Sequence, residues 1–480
     1  MYSRDQLLQN STFLHFDELC RIPRISGREQ AVSDYLLTWA KSLGLAAEQD
    51  DHFNLYIQKP ATPGYQCAPV VMLQAHLDMV GSGSKGVKVN FEKDAIQWMI
   101  EDDTITTGGK TTLGADDGIG VALAMTVLED KTHAHPAIEV ALTTMEEVDF
   151  SGAESFIFPF RAAFLINLDG SYDNQLLCAS SGGMAAQIRL PLELVNLPEA
   201  NRCMRIAISG LAGGHSGKEI NRGRDNAIGI LGRFLLKIKK MFPFAISDLK
   251  GGDSYIALAR DAQADLVLAE EDIPMLKKEA AELEETLHKE HPVTGEKIRV
   301  SVDERKGPSH AYTAEPIIMM LNLSPNGIVQ MNEMFPNIVA SSVNMGKIWV
   351  DEGFLTLKYD IRSLSEKMGQ STCEKLELLA ELAGAEYGQS TSYPSWELRA
   401  DSQLRDTAAA VYRRMYGEEP EICSIHVGLE VGYFFLKKAG MDAIAYGPDR
   451  WNNHSPSEGM SIPSVYKAEE YLFALLSEFR

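Results

Sequence analysis

The sequence predicts an α/β protein: a largely parallel mixed sheet sandwiched by helices, interrupted by an inserted α+β domain. Three observations point there. In the first third of the chain, short apolar runs alternate with helical periodicities, the pattern of strands buried on both faces between helical layers. After about residue 186 the apolar residues instead alternate with polar ones, as in half-exposed antiparallel strands. From Tyr393 onward the pattern of the first third returns. Residues 1–186 and 395–480 are therefore expected to form one domain, and 187–394 the insertion.

The first predicted helix covers Glu29 to Leu45, where Val32, Tyr35, Leu36, Trp39 and Leu43 fall at helical spacing and Gly44 is a stop. Val70–Ala75, Ile138–Thr143 and Ala163–Leu168 read as buried strands, with an apolar helix at Gly118–Glu129. In the insertion, three sets of residues alternate as strands do: Met204, Ile206, Ile208; Ile298, Val300, Val302; and Leu355, Leu357, Tyr359, Ile361. Two helices fit between them. Asp225–Lys240 carries an apolar stripe, and Asp272–Glu290 is so charged that it reads as a solvated face.

Composition bounds the function. The chain has 480 residues, 45 Lys+Arg against 67 Asp+Glu and a net charge of −22, too acidic for general nucleic-acid or anionic-membrane binding. The most apolar stretch, Ile119 to Leu128, falls short of the roughly 20 residues of a membrane span. The N-terminus has no apolar signal-peptide core, and six scattered cysteines without a CxxC pair read as reduced thiols. A small-molecule enzyme in the cytoplasm is the expectation.

Acidic residues and histidines collect at predicted strand ends. His76 and Asp78 follow the strand Val70–Ala75 two residues apart, so alternation aims them to one side. A carboxylate there can hold a ligand histidine, although on these two residues alone a hydrogen-bonded structural histidine is the commoner reading. Leu113-Gly-Ala-Asp-Asp-Gly118 opens a helix, where one of Asp116 and Asp117 can serve as a cap but not obviously both. Glu146 and Glu147 follow the strand Ile138–Thr143. If extended, they point opposite ways, so that one can bind metal while the other works on water; solvated loop glutamates are the alternative. Asp169 and His454 complete the set, the latter after Gly447-Pro448. The edge where parallel strands end is where open α/β sheets place ligands. Three carboxylates and a hydroxide would balance two dications, and oxygen-rich sites with one histidine per ion suit Zn²⁺.

The order HLD, GADDG, EE, NLDG, HSP resembles the M20 family of co-catalytic zinc peptidases, and within it the cytosolic Xaa-His dipeptidases. The likeness extends over Thr111–Gly120, Gly210–Ile220, Ser324–Val329, Ser341–Gly346, Ile361–Leu364 and Ile425–Gly432. It implies two Zn²⁺ per chain, with Co²⁺ or Mn²⁺ as substitutes: one on His76, Asp116 and Asp169, the other on Asp116, Glu147 and His454. By the same resemblance Glu146 is the general base and Asp78 supports His76. His215, otherwise an ordinary turn histidine, reaches a neighbouring subunit's site to polarise the scissile carbonyl, and Asn344 and Arg362 bind substrate. The implied fold is a zinc-peptidase-like catalytic domain with a lid and dimerisation insertion, and the implied activity is hydrolysis of dipeptides with a free N-terminus, of Xaa-His type. The implied partners are a small peptide substrate and a second copy of the chain, without nucleic acid or membrane. An aminoacylase or carboxypeptidase acting on N-acylated amino acids shares the same metal residues, and a non-catalytic metal-binding scaffold is the reading of another class. The pattern departs at two places: Ile256 and Ala259 stand where the family has Asn and Pro, and Asp117 adds a carboxylate, read here as a helix cap.

Overall fold

A computed structural model describes residues 2–196, 201–308 and 310–480. The chain divides into two units: Met1–Ser180 with Leu398–Ile425 and Leu429–Arg480, and Ser181–Glu397 with His426–Gly428.

The first unit is built on an eight-stranded mixed sheet, in the spatial order Ala46–Gln49, Leu55–Lys59, Ile138–Thr143, Val71–His76, Phe164–Asn167, Asp442–Ala445, Gln175–Ser180, Glu421–Ile425. The middle is parallel: Val71–His76 pairs in parallel with Ile138–Thr143 and Phe164–Asn167, and the latter with Asp442–Ala445. Every residue of these four strands is buried, the physical reason their sequences are nearly continuous apolar runs. The helix Ala115–Glu129 is equally apolar; Ile119, Leu123 and Val127 join the same core as Leu73, Val140 and Ile166. Among the described residues no helix is long and apolar enough to cross a membrane.

The second unit holds an eleven-stranded sheet. Asn201–Ser209 pairs antiparallel with Ala262–Ala269 on one side and Arg299–Arg305 on the other. Val339–Asp351, Phe354–Ser363 and Gly182–Pro191 continue the sheet, again antiparallel. Ile228, Leu231, Leu235 and Ile238 of the helix Ala227–Ile238 pack on this sheet, as their spacing predicts. The charged helix Ile273–Glu290 is more than a solvated face: Leu276, Ala280 and Leu287 join the core, and buried Glu279 pairs with Lys237 at 2.5 Å.

The junctions differ from the expected boundaries at 186 and 395. Gly182 and Gly183 already pair with Ser363 and Arg362, so this strand belongs to the second unit from Ser181. His426–Gly428 joins it as well, because His426 Nε2 lies 2.7 Å from Ser342 Oγ.

Candidate metal centre

In the first unit the parallel strands end at one edge, and the loops beyond them carry the acidic residues. His76 is the last residue of its strand. Its Nε2 lies 3.3 Å from Asp116 Oδ1, 3.9 Å from Asp169 Oδ2 and 4.0 Å from Glu146 Oε2. His454 Nε2 lies 2.9 Å from Glu147 Oε2 and 3.3 Å from Asp116 Oδ2. The two oxygens of Asp116 thus face two different imidazoles. Burial alone would depress His76, yet Glu146, Asp116 and Asp78 raise its imidazole well above the ordinary value. Burial works the other way on Asp116, but Arg450 and the two histidines hold that carboxyl well below its usual range.

Asp78 holds both His76 and the segment that carries Glu146 and Glu147. Its Oδ1 lies 3.4 Å from His76 Nδ1 and accepts the Glu146 N–H at 3.1 Å, while Oδ2 accepts the Glu147 N–H at 3.1 Å and the Ser26 hydroxyl at 2.8 Å. Glu146 and Glu147 are not extended, contrary to expectation. They form a turn after Met145, whose φ of 59° is left-handed, and Asp78 holds both turn amides. The turn sends Glu147 to His454 and leaves Glu146 beside His76. Burial pushes the Glu146 carboxyl well above its ordinary value, with Asp169 and Glu147 adding to the rise.

Asp117, read from sequence as a helix cap, has both carboxylate oxygens engaged elsewhere. It stands just before the regular helix that runs from Gly118, because Asp116 and Asp117 depart from helical backbone angles. Asp117 turns inward instead; its Oδ2 faces the His76 N–H at 3.4 Å and its Oδ1 faces Arg450 at 3.4 Å. A Cβ on Gly120 would come within 2.4 Å of that carboxylate, so the glycine leaves the space it fills. Burial and the neighbouring Asp169 raise the Asp117 carboxyl well above the usual range.

Four buried charged residues frame the site, and none stands out in the sequence. Arg24 donates to the carbonyls of Leu77, Asp78 and Gly114 at 2.9, 3.0 and 2.5 Å. Arg450 binds Asp169 Oδ1 at 2.6 Å and Asp116 Oδ1 at 3.1 Å, which leaves Asp169 Oδ2 as the oxygen nearer His76. Glu430 accepts from Gln74 Nε2 and Thr143 Oγ1, both at 2.6 Å, and Gln74 accepts from Asn167 at 2.6 Å. That network ties together the ends of three strands, and burial pushes the Glu430 carboxyl up to about 8. Glu458 accepts backbone N–H groups of residues 113–116. The one local signal is position: Arg450 follows Gly447-Pro448, and Glu458 follows the HSP triplet.

The donors fit divalent cations. His76, Asp116 and Glu147 offer ligand atoms within 4.8 Å of one another, as do His76, Asp117 and Asp169. Buried His76 Nδ1 and Glu147 Oε1 have no hydrogen-bond partner. Two imidazoles, one buried and one exposed, with several carboxylates clustered between them are the donor set that cations such as Zn²⁺ take. A third group of such residues, Asp225, Glu290 and His291, is largely exposed.

Proton release follows from this packing. Hydrogen bonds that the His454 ring donates to Asp116 and Glu147 raise it to about 10, so it carries a proton at neutral pH in the metal-free protein. Its contribution to stability is full below the unfolded value near 6.5 and is lost as pH rises through about 10. A metal ligand must be deprotonated. Adding Zn²⁺ at pH 7 in weak buffer is therefore expected to release protons, with apparent affinity falling as pH falls. A pH indicator reads this, and Zn²⁺ uptake without proton release would mean that His454 keeps its proton.

His215, Asn344 and Arg362 lie in the second unit. His215 Nδ1 accepts the N–H groups of Gly217 and Lys218 at 3.0 and 3.2 Å, so a neutral ring carries its hydrogen on Nε2. Burial and the Arg362 charge depress this imidazole to about 4, which keeps it neutral. Arg362 is buried; its Nε bonds Asp360 at 2.8 Å and its Nη1 the Tyr393 hydroxyl at 2.6 Å. Asn344 donates both amide hydrogens, to the carbonyls of Tyr255 and Ala257 at 2.8 Å each, so it shapes the segment around Ile256. Ile256 itself is exposed, and its carbonyl accepts the Ser216 N–H at 3.0 Å.

The chain belongs to a peptidase family, matching family M20/M25/M40 over residues 72–478. It is 33% identical over 467 residues to the cytosol non-specific dipeptidase of Escherichia coli K12, which covers 96% of each chain. The crystal structure of aminoacylhistidine dipeptidase from Vibrio alginolyticus superposes with a TM-score of 0.91 at 31% identity, covering 100% of this chain and 98% of that one. Aminopeptidase PepT from Bacillus cereus shares the fold, with a TM-score of 0.57 at 15% identity and 99% of each chain covered.

Proposed function

We propose that this protein hydrolyses dipeptides with a free N-terminus, Xaa-His dipeptides among them, in the cytoplasm and with two Zn²⁺ ions per chain. The observation that carries the reading is Asp116: its two oxygens face two imidazoles while a further carboxylate, Glu146, stands beside His76 at 4.0 Å. The likeness to two dipeptidases along nearly the whole chain supports the substrate class.

In this reading His76, Asp116 and Asp169 hold one ion, and Asp116, Glu147 and His454 the other. Bound dications supply Lewis-acid polarisation of a carbonyl and make water more acidic. Glu146 takes a proton from the attacking water and returns it to the leaving amine. Asp78 keeps His76 and the Glu146 turn in register. His215, with its Nε2 hydrogen, donates to the scissile carbonyl from a second copy of the chain, paired through the second unit, and Arg362 captures the substrate carboxylate. Asn344 acts on substrate through the segment it shapes.

A dipeptide panel assayed before and after chelation tests this. Xaa-His and β-alanyl-His peptides with free amines are expected to be cleaved, N-blocked ones rejected, and all activity lost on chelation and restored by Zn²⁺. A site that pairs a free amine discriminates by orders of magnitude against substrates lacking it. Faster cleavage of the N-blocked series would move the assignment to an aminoacylase, and metal uptake with no cleavage would end it.

A further inference from the structure

The loop that carries Asp116 is held by a residue from the far end of the chain. Glu458 is 2% exposed. Its Oε2 accepts the N–H groups of Leu113 and Gly114 at 2.7 and 3.0 Å, and its Oε1 those of Ala115 and Asp116 at 2.9 and 3.3 Å. Asp116 and Asp117 depart from helical backbone angles, so these four N–H groups belong to the loop ahead of the regular helix that runs from Gly118. One carboxylate gathers all four from as far as 345 residues away, satisfying donors that would otherwise be buried without partners.

The same carboxylate sits in the turn that bears His454. The Glu458 N–H bonds the Ser455 carbonyl at 3.1 Å, and Asn453 Nδ2 reaches Asp116 Oδ2 at 2.7 Å. The segment 453–458 thus grips the Asp116 loop by two side chains, the Glu458 carboxylate on the backbone N–H groups and the Asn453 amide on the Asp116 carboxylate. His454 itself has a left-handed φ of 64°, so its ring direction depends on the whole turn holding its shape.

We propose that Glu458 is a positioning residue that couples the Asp116 loop to the His454 turn and thereby sets the metal affinity of the centre. The proposal rests on the metal-dependent reading above. Its physical basis is the spacing of the two segments. Among the described residues, the other links between them are the Asn453 bond and the His454 contact to Asp116, with Arg450 beside them bonding Asp116 and Ala115. A glutamine cannot substitute. Its single carbonyl oxygen accepts two N–H groups at most, and its NH₂ would then face the remaining amide donors. Donor against donor in a buried place leaves both unsatisfied and drives the two segments apart.

The test is Zn²⁺ affinity of the metal-stripped full chain, measured by competition with a chromophoric chelator, together with the visible spectrum of Co²⁺ bound in its place. Glu458→Gln is expected to raise the Zn²⁺ dissociation constant about 10–100-fold, the range for outer partners of metal ligands. The Co²⁺ spectrum is expected to change shape, because Asp116 and His454 no longer meet at the same separation. Glu458→Asp, which keeps the carboxylate, is expected to fall between wild type and Glu458→Gln. A folded Glu458→Gln protein with wild-type affinity and spectrum would overturn the proposal. Should that variant not fold, Glu458→Asp decides, with unchanged affinity counting against the coupling. Wild-type protein that takes up no Zn²⁺ would instead overturn the proposed function, so the two failures are distinct.

Discussion

Glu146→Gln is expected to slow turnover by about 10²–10⁴-fold while leaving the metal content unchanged, the range for a lost general acid–base group. The geometry separates Glu146 from its neighbour. Glu147 lies 2.9 Å from His454, whereas the nearest cationic atom to Glu146 is His76 Nε2 at 4.0 Å. Its backbone is fixed by Asp78, so the variant places an amide where the carboxylate stood. Glutamine has the same shape and no basicity, so the fall is expected in kcat with KM little changed. Metal analysis and steady-state kinetics on one preparation check it. Near-normal turnover in a fully loaded variant would remove Glu146 from the role of base.

Arg450→Met is expected to destabilise the metal-free protein by about 3–5 kcal/mol, the cost of leaving buried charges unpaired. Arg450 is wholly buried and contacts Asp116, Asp117 and Asp169, as well as the carbonyls of Ala115 and Asp169. The three carboxylates raise its pKa although burial opposes the charge. Methionine fills a similar volume without the charge, so the effect is electrostatic rather than a cavity. The loss is expected to show as a lower melting temperature in chelator. Zn²⁺ is expected to restore more stability to the variant than it adds to wild type, because bound dications compensate the same carboxylates. Equal melting temperatures in chelator would show that Asp117 and Asp169 need no counter-charge.

These two residues mark the limits of reading the site from sequence. Glu146 stands next to Glu147 just beyond the mostly apolar strand Ile138–Thr143, and a pair of acids at a buried strand's end is conspicuous. Arg450 is a single arginine in a polar stretch, and beyond its place after Gly447-Pro448 nothing local shows what it pairs with. The same holds for Arg24, for Glu430 within Ile425–Gly432 and for Glu458 after the HSP triplet. Each is buried because a distant segment supplies its partners, and that pairing leaves no periodicity in the chain. Asp117 departs from expectation for a related reason: an acid at a helix start is usually a cap, but here Arg450 and the His76 N–H, from distant segments, draw its carboxylate inward. The Glu146–Glu147 divergence came from a turn held by Asp78, where alternation along an extended chain was the simpler expectation.

The order of elements was legible in the amino-acid sequence by itself. Strands buried on both faces must be continuously apolar, half-exposed ones must alternate, and metal-binding residue types at strand ends point to the sheet edge where ligands sit. So were His76, Asp116, Glu147, Asp169 and His454 as candidate ligands. Tertiary structure alone decided how they meet. The side chain of Asp116 faces His76 on one oxygen and His454 on the other only because Arg24, Arg450, Asn453 and Glu458 hold its loop against segments far away in sequence. Local propensity acts over a turn of helix or a few residues of strand. A buried charge, by contrast, is stable only where the fold delivers its counter-charge or its donors, and that delivery is a property of the whole chain.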